Sequence, residues 1–125
     1  MVGSNQFSIN PQKSFRRSLK KLGKKNYSKT FLDAVERILE ELIDNPYPSN
    51  SRFEPLPKTT KLPNGVTFHK IRLTISRGAS GQIRIMYLVD KINLKIKILY
   101  IYNKNQFPKR PLDKYIATWI REATQ

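Results

Sequence analysis

Gln82-Ile83-Arg84-Ile85-Met86-Tyr87-Leu88-Val89, together with Phe68-His69-Lys70-Ile71-Arg72-Leu73, decides how this chain is read. Side chains alternate across a strand. In the later stretch Ile83, Ile85, Tyr87 and Val89 share one face, and Arg84 falls on the other. In the earlier stretch His69, Ile71, Leu73 and Ile75 share a face, opposite Lys70 and Arg72. If both apolar faces cover one core, Lys70, Arg72 and Arg84 converge on the reverse of the same sheet. Three cations gathered there repel one another, an arrangement best understood if an anion sits between them.

A third strand follows. Lys95 to Tyr102 is apolar on both faces at its centre, as an interior strand is. Ser80-Gly81 and Lys91-Ile92-Asn93 are short connections, so the strands near 66–75, 82–90 and 95–103 are read as antiparallel neighbours. Upstream, residues 45–65 hold five of the eight prolines and read as a long loop, with a turn at Asn64-Gly65.

The N-terminal part reads as helical. Gln6 to Ile9 is a candidate short strand, and Asn10-Pro11 opens a helix over 11–22 on Phe15, Leu19 and Leu22, with Gly23 as its stop. Ser28 caps a second helix carrying Phe31, Leu32, Val35, Ile38, Leu39, Leu42 and Ile43, with Tyr27 stapled on Leu32 and Asn45-Pro46 ending it. A short link between the two predicts an antiparallel hairpin. Pro111 opens a last helix on Leu112, Tyr115, Ile116, Trp119 and Ile120. The expected architecture is one α+β domain over residues 1–125. It has an N-terminal helical hairpin on a small antiparallel sheet of three to four strands, and a C-terminal helix.

Charge narrows the function. The 125 residues carry 24 Lys and Arg against 9 Asp and Glu, a formal charge of +15. Such an excess points to a polyanionic partner. Five of the acids, Asp33, Glu36, Glu40, Glu41 and Asp44, lie in one segment, so the remainder is more basic still. With no cysteine and one histidine, a transition-metal site is not expected, and no cofactor is implied. No apolar run approaches the roughly 20 residues of a bilayer span, and Met1 to Gln6 lacks the pattern of a signal peptide. A soluble cytoplasmic protein without a membrane partner is the expectation.

The order of elements and several stretches resemble the RelE/ParE superfamily of toxins from toxin–antitoxin pairs. Ser14-Phe15-Arg16-Arg17-Ser18-Leu19-Lys20-Lys21-Leu22 is similar to that family's basic first helix. Asn45-Pro46, Leu56 and Phe68 to Leu73 resemble its loop into the second strand, and Gln82 to Asp90 its most recognisable strand. Ile101-Tyr102-Asn103-Lys104-Asn105 is similar to the end of its next strand, where HigB-like members among others carry a basic residue. The resemblance spans roughly residues 6–110 and is one of pattern.

The resemblance implies a ribosome-dependent mRNA endonuclease. In such chemistry the ribose 2′-hydroxyl attacks the adjacent phosphate without a metal. It needs cations around the phosphate, a proton acceptor and a proton donor. By resemblance the catalytic candidates are Lys70, Arg72, Arg84 and Lys104. Lys13, Arg16, Arg17, Lys20, Lys21, Lys24, Lys25 and Arg110 are candidate RNA contacts, on rRNA phosphates for those of the first helix. A cognate antitoxin, the ribosome and mRNA are the implied partners. The family often carries a tyrosine beyond the last strand, where this chain has Phe107, Pro108, Lys109 and Arg110, so the general base stays open. Lys70 crowded by two arginines is one candidate base.

Simpler readings stand beside these. An isolated Lys70–Arg72 pair is usually a solvated strand face. His69 has the parity of Ile71 and Leu73 and is read as a core or edge histidine. Tyr87 is read as core, Tyr100 and Tyr102 as core or base-stacking, and Trp119 as packing the last helix on the sheet. Competing functions are a ParE-like inhibitor of DNA gyrase and a non-catalytic RNA-binding protein. A gyrase binder has no need of a cationic cluster on the sheet.

Overall fold

The computed structural model describes residues 6–26 and 28–125. Strand β1 (Ser8–Pro11) leads into helix α1 (Lys13–Asn26) and helix α2 (Lys29–Asp44). Strand β2 (Ser51–Phe53) precedes β3 (Val66–Thr74), β4 (Gln82–Asp90) and β5 (Lys95–Asn103), and helix α3 (Asp113–Thr124) closes the order. The sheet runs β1-β5-β4-β3-β2.

The period-two alternation of β4 builds both layers. Ile83, Ile85, Tyr87 and Val89 join Ile71, Ile96, Ile98 and Ile101 under Phe15 and Leu22 of α1 and Phe31, Val35 and Leu42 of α2. The reverse face is buried too. Phe68, Met86, Leu88, Leu99 and Tyr102 pack beneath Ile116, Ile120 and Ala123 of α3. Two covered faces explain why β4 is buried at every position from Ile85 to Asp90.

Two expectations about the sheet are corrected. It has five strands and is mixed, because β1 pairs in parallel with β5 through Ser8↔Lys95 to Pro11↔Ile98. A parallel partner reached through a long excursion leaves no local turn signal. The second correction is β2. Ser51–Phe53 pairs antiparallel with β3 inside the segment read as a loop. Three residues between prolines are too short to show an alternation.

The helix bounds also shift. α1 starts after Pro11 and runs through Gly23 to Asn26, so Gly23 is a buried interior position rather than a stop. A groove bordered by Arg16, Leu19, Lys20, Gly23 and Lys24 of α1 and Leu32 of α2 lies between the two helices expected to form an antiparallel hairpin. Tyr27 and its expected staple lie outside the described residues, as does the side chain of Lys25. Ser28 caps α2 as expected, its hydroxyl accepting from the Phe31 amide at 3.0 Å. Asn45 ends that helix.

Where β1 stops, Gln12 and then α1 take over the open edge of β5. The Gln12 amide donates to the Ile98 carbonyl at 2.9 Å, and the Ser14 hydroxyl donates to the Leu99 carbonyl at 2.6 Å. The buried Ser18 hydroxyl accepts from the Ile101 amide at 3.0 Å. Two serines thus satisfy strand groups that would otherwise be orphaned inside the protein. Near the same point the register with β4 shifts between Met86 and Tyr87. Leu99, Tyr100 and Tyr102 all pack on the α3 side, as a β-bulge allows.

Among the described residues no helix is long and apolar enough to cross a membrane.

Candidate active site

The α3 side of the sheet turns from apolar to cationic toward one end. Register places Arg72 directly opposite Arg84, and Lys70 opposite Met86. The Arg72 amide and carbonyl are engaged with Asn50, on the β2 side. The Arg72–Arg84 pair is therefore of the non-hydrogen-bonded kind, in which opposing Cα atoms approach to about 4.5 Å. Like charges directly opposite destabilise a sheet. The three cations predicted to share a face do share it.

β2 adds residues the sequence reading missed. Arg52 pairs with Lys70 in register and brings a fourth basic residue to that face. One residue beyond β2, Glu54 donates its amide to the Phe68 carbonyl at 2.9 Å and lies beside β3. Its carboxylate contacts the Lys70 ammonium at 3.3 Å and the Arg110 guanidinium at 3.0 Å. The Glu54 side chain is only 7% exposed, against 13% for Lys70 and 19% for Arg110. The anion expected among the cations is thus in part supplied by the protein itself. Its signal in the sequence is weak, a lone acid in a proline-rich segment.

These contacts revise three assignments. Lys70 is partner to a carboxylate rather than crowded by cations alone, which removes the reason to read it as a free-amine base. Arg110, expected as an RNA contact, is committed within the protein. It donates to Glu54, to the Pro55 carbonyl at 2.7 Å and to Asp113 at 2.9 Å. It thereby ties the loop after β2 to the start of α3. Lys104 is exposed in the turn after β5, where its amide donates to the Gln82 carbonyl, and nothing described joins its side chain to the cluster.

Arg84 is half-buried and Arg72 exposed, and neither side chain forms an ion pair among the described residues. Burial first, then the Arg72 guanidinium, hold Arg84 below the ordinary arginine value. Tyr102 faces Arg84 across β4 and β5. Burial, then the charge of Glu54, push its phenol up to about 12, against the opposite pull of Arg84, Arg110 and Arg72. It stays neutral at physiological pH and donates to the Lys109 carbonyl at 3.3 Å. Phe107, which stands near the expected tyrosine position, packs edge-on against Tyr102 with ring centroids 5.6 Å apart. It braces the segment over Tyr102 and has no proton to give.

His69 lies on the opposite, helix-covered face, as its parity predicted. It stacks on Tyr87 at 5.4 Å, and its Nε2 is 2.7 Å from the Thr67 hydroxyl. Burial, then the charge of Lys91, lower it to about 4. The unfolded chain takes up a proton near pH 6.5, while the folded chain resists until about pH 4. Stability is therefore complete above the unfolded value and falls as pH drops through that window, by up to about 3 kcal/mol. Urea unfolding between pH 7 and 4 should show the decline, and His69→Phe should flatten it. An equally steep decline in the variant would contradict a core role.

The cations of α1 divide into two stripes. Arg16, Lys20 and Lys24 border the groove toward α2, whereas Lys13 and Arg17 line a cleft toward α3. Lys21 is exposed.

This topology, with its two-sided sheet, is the fold of the RelE toxins. The RelE–RelB complex of the archaeon Pyrococcus horikoshii contains a chain that superposes with a TM-score of 0.54 at 19% identity, over 81% of this chain and 98% of that one. The free toxin RelE of E. coli, solved as a double arginine-to-alanine variant, gives 0.51 at 13% identity, over 96% and 99%. No family model matches the chain, and no curated protein matches it in sequence.

Proposed function

We propose that this chain is a RelE-like toxin that cleaves mRNA on the ribosome and is held inactive by a partner antitoxin. The observation that carries the reading is the closely spaced Arg72–Arg84 pair, flanked by Lys70 and Arg52. A fold gains nothing from opposed guanidinium groups. A phosphodiester between them would turn repulsion into two forked, charge-assisted contacts. The RelE fold supports the class of activity, and the RelB partner of the archaeal neighbour supports an antitoxin.

In the proposed reaction the 2′-hydroxyl gives its proton to the Glu54 carboxylate. The 2′-oxygen forms a bond to phosphorus as the bond from phosphorus to the 5′-oxygen breaks. The leaving oxygen takes a proton from the Lys70 ammonium. Transfer from Glu54 to Lys70 across their 3.3 Å contact then resets the pair. Arg72 and Arg84 stabilise the charge on the pentacoordinate phosphate, which is where preorganised donors act most strongly. The products are a 2′,3′-cyclic phosphate and a 5′-hydroxyl.

Binding should depend steeply on salt, because Lys13, Arg16, Arg17, Lys20, Lys21 and Lys24 are all exposed. Neutralising about four phosphates lowers the affinity for single-stranded RNA roughly 50-fold between 50 and 200 mM salt. A flat response in a filter-binding titration would contradict an electrostatic interface. The functional test is induced expression followed by mapping of mRNA 5′ ends. Codon-phased cuts in translated regions are expected. Intact mRNA with DNA damage would point instead to gyrase.

A further inference from the structure

The cleft between α1 and α3 brings a pair of stacked rings together with exposed basic side chains. It measures about 280 Å³ and is lined by Lys13, Ser14 and Arg17 of α1, Thr118, Trp119 and Glu122 of α3, and Tyr100 of β5. Tyr100 and Trp119 stack with centroids 4.1 Å apart and planes within 12°. Both rings are half-buried, and both line the cleft. Lys13 and Arg17 are exposed and have no ion-pair partner among the described residues. Stacked rings with free cations beside them are the chemistry that holds single-stranded nucleic acid.

The cleft also lies close to the candidate active site. Tyr100 lies 6.3 Å from Tyr102, ring to ring, and Tyr102 is the register partner of Arg84. Two strand positions span about 7 Å, so the Tyr100 wall of the cleft stands one nucleotide's reach from the position of Arg84, past Tyr102 and the Phe107 that covers it. A strand of RNA whose phosphate sits at Arg84 would bring a neighbouring nucleotide to the edge of the Tyr100–Trp119 pair.

The geometry points to a nucleotide subsite in this cleft, in which one base of a single-stranded RNA packs against the Tyr100–Trp119 wall. Lys13 and Arg17 take its phosphate. Glu122, the one carboxylate lining the cleft, is placed to accept from an exocyclic amino group, which favours adenine, cytosine or guanine over uracil. The inference rests on the proposed RNA-cleaving reading and adds to it a second contact that would select the flanking base.

Trp119 is the single tryptophan of the chain, so its emission reports on this cleft. The probe is a short 2′-O-methyl oligoadenosine, which lacks the attacking hydroxyl and cannot be cut. Its binding is followed both by anisotropy of an end label and by Trp119 fluorescence. Quenching by the oligonucleotide is expected, with none from inorganic polyphosphate of equal charge. Lys13→Ala with Arg17→Ala should raise Kd about tenfold without moving the thermal midpoint, since both residues are exposed. Equal quenching by polyphosphate would make the cleft an anion site and overturn the base contact. Binding with unchanged emission and no effect of the double variant would overturn the subsite alone. Absence of any RNA binding would overturn the RNA-cleaving reading with it.

Discussion

Arg84→Ala is expected to lower RNA cleavage about 10²–10³-fold, the usual consequence of losing one preorganised contact to a transition state. The loss should not be one of folding. Arg84 stands opposite Arg72 in the closer kind of antiparallel pair, and removing one of two opposed like charges relieves a strain of roughly 0.2–1 kcal/mol. Arg84→Met separates the two effects, since it keeps the packing of the side-chain stem. Its thermal midpoint should match or exceed that of the parent by a few degrees, while cleavage stays lost. A midpoint well below the parent with cleavage retained would mark Arg84 as structural.

Glu54 should show the largest effect on stability. Its carboxylate is 7% exposed and contacts both Lys70 and Arg110. Glu54→Ala leaves two nearly buried cations facing each other, and breaking such a pair from one side costs roughly 3–5 kcal/mol. The rims of Lys70 and Arg110 reach solvent, so the lower end of that range is expected. Because Arg110 also donates to Asp113, the start of α3 should loosen, visible as faster amide exchange at its first turn. Glu54→Gln isolates the chemistry. The amide oxygen still accepts from Arg110, but the group cannot take a proton. Cleavage should fall by about 10²–10⁴ with the fold retained. Full activity in the folded Gln variant would assign the proton acceptor elsewhere.

Strand alternation made half of this site legible in the sequence. The parity of Lys70 and Arg72 in β3 and of Arg84 in β4 follows from which neighbours are apolar, and the same parity placed His69 against Tyr87. Glu54 and Arg52 were hidden for a local reason. β2 is three residues long and lies among prolines, so pairing with β3, not its own pattern, makes it a strand. Position in space also separated residues that sequence grouped together. Arg110 reads as one more surface cation and turns out to be paired with Glu54. The basic stretch of α1 reads as one outer face, yet it borders two different hollows. The parallel pairing of β1 with β5 is a tertiary choice that no local signal announces. Gly23 misled as a helix stop because packing against the sheet outweighs the roughly 1 kcal/mol penalty of an interior glycine.

Tyr102 brings a phenol to the cationic face from within β5. Phe107 leaves the usual position without a phenol, but Tyr102 sits beside Arg84. Its hydroxyl is engaged by the Lys109 carbonyl and its ring is covered by Phe107. The geometry gives it a positioning role, holding the segment before α3 over the edge of the cationic face.

The most direct measurement is the chemistry of the RNA ends. Total RNA is taken after brief induction of the parent chain and of Arg84→Met, and 5′ ends are mapped with selection for 5′-hydroxyl termini. New 5′-hydroxyl ends, phased with codons inside translated regions, are expected for the parent and none for the variant. Unchanged ends for the parent under conditions where it arrests growth, or the same ends for both proteins, would contradict cleavage at the Arg72–Arg84 pair.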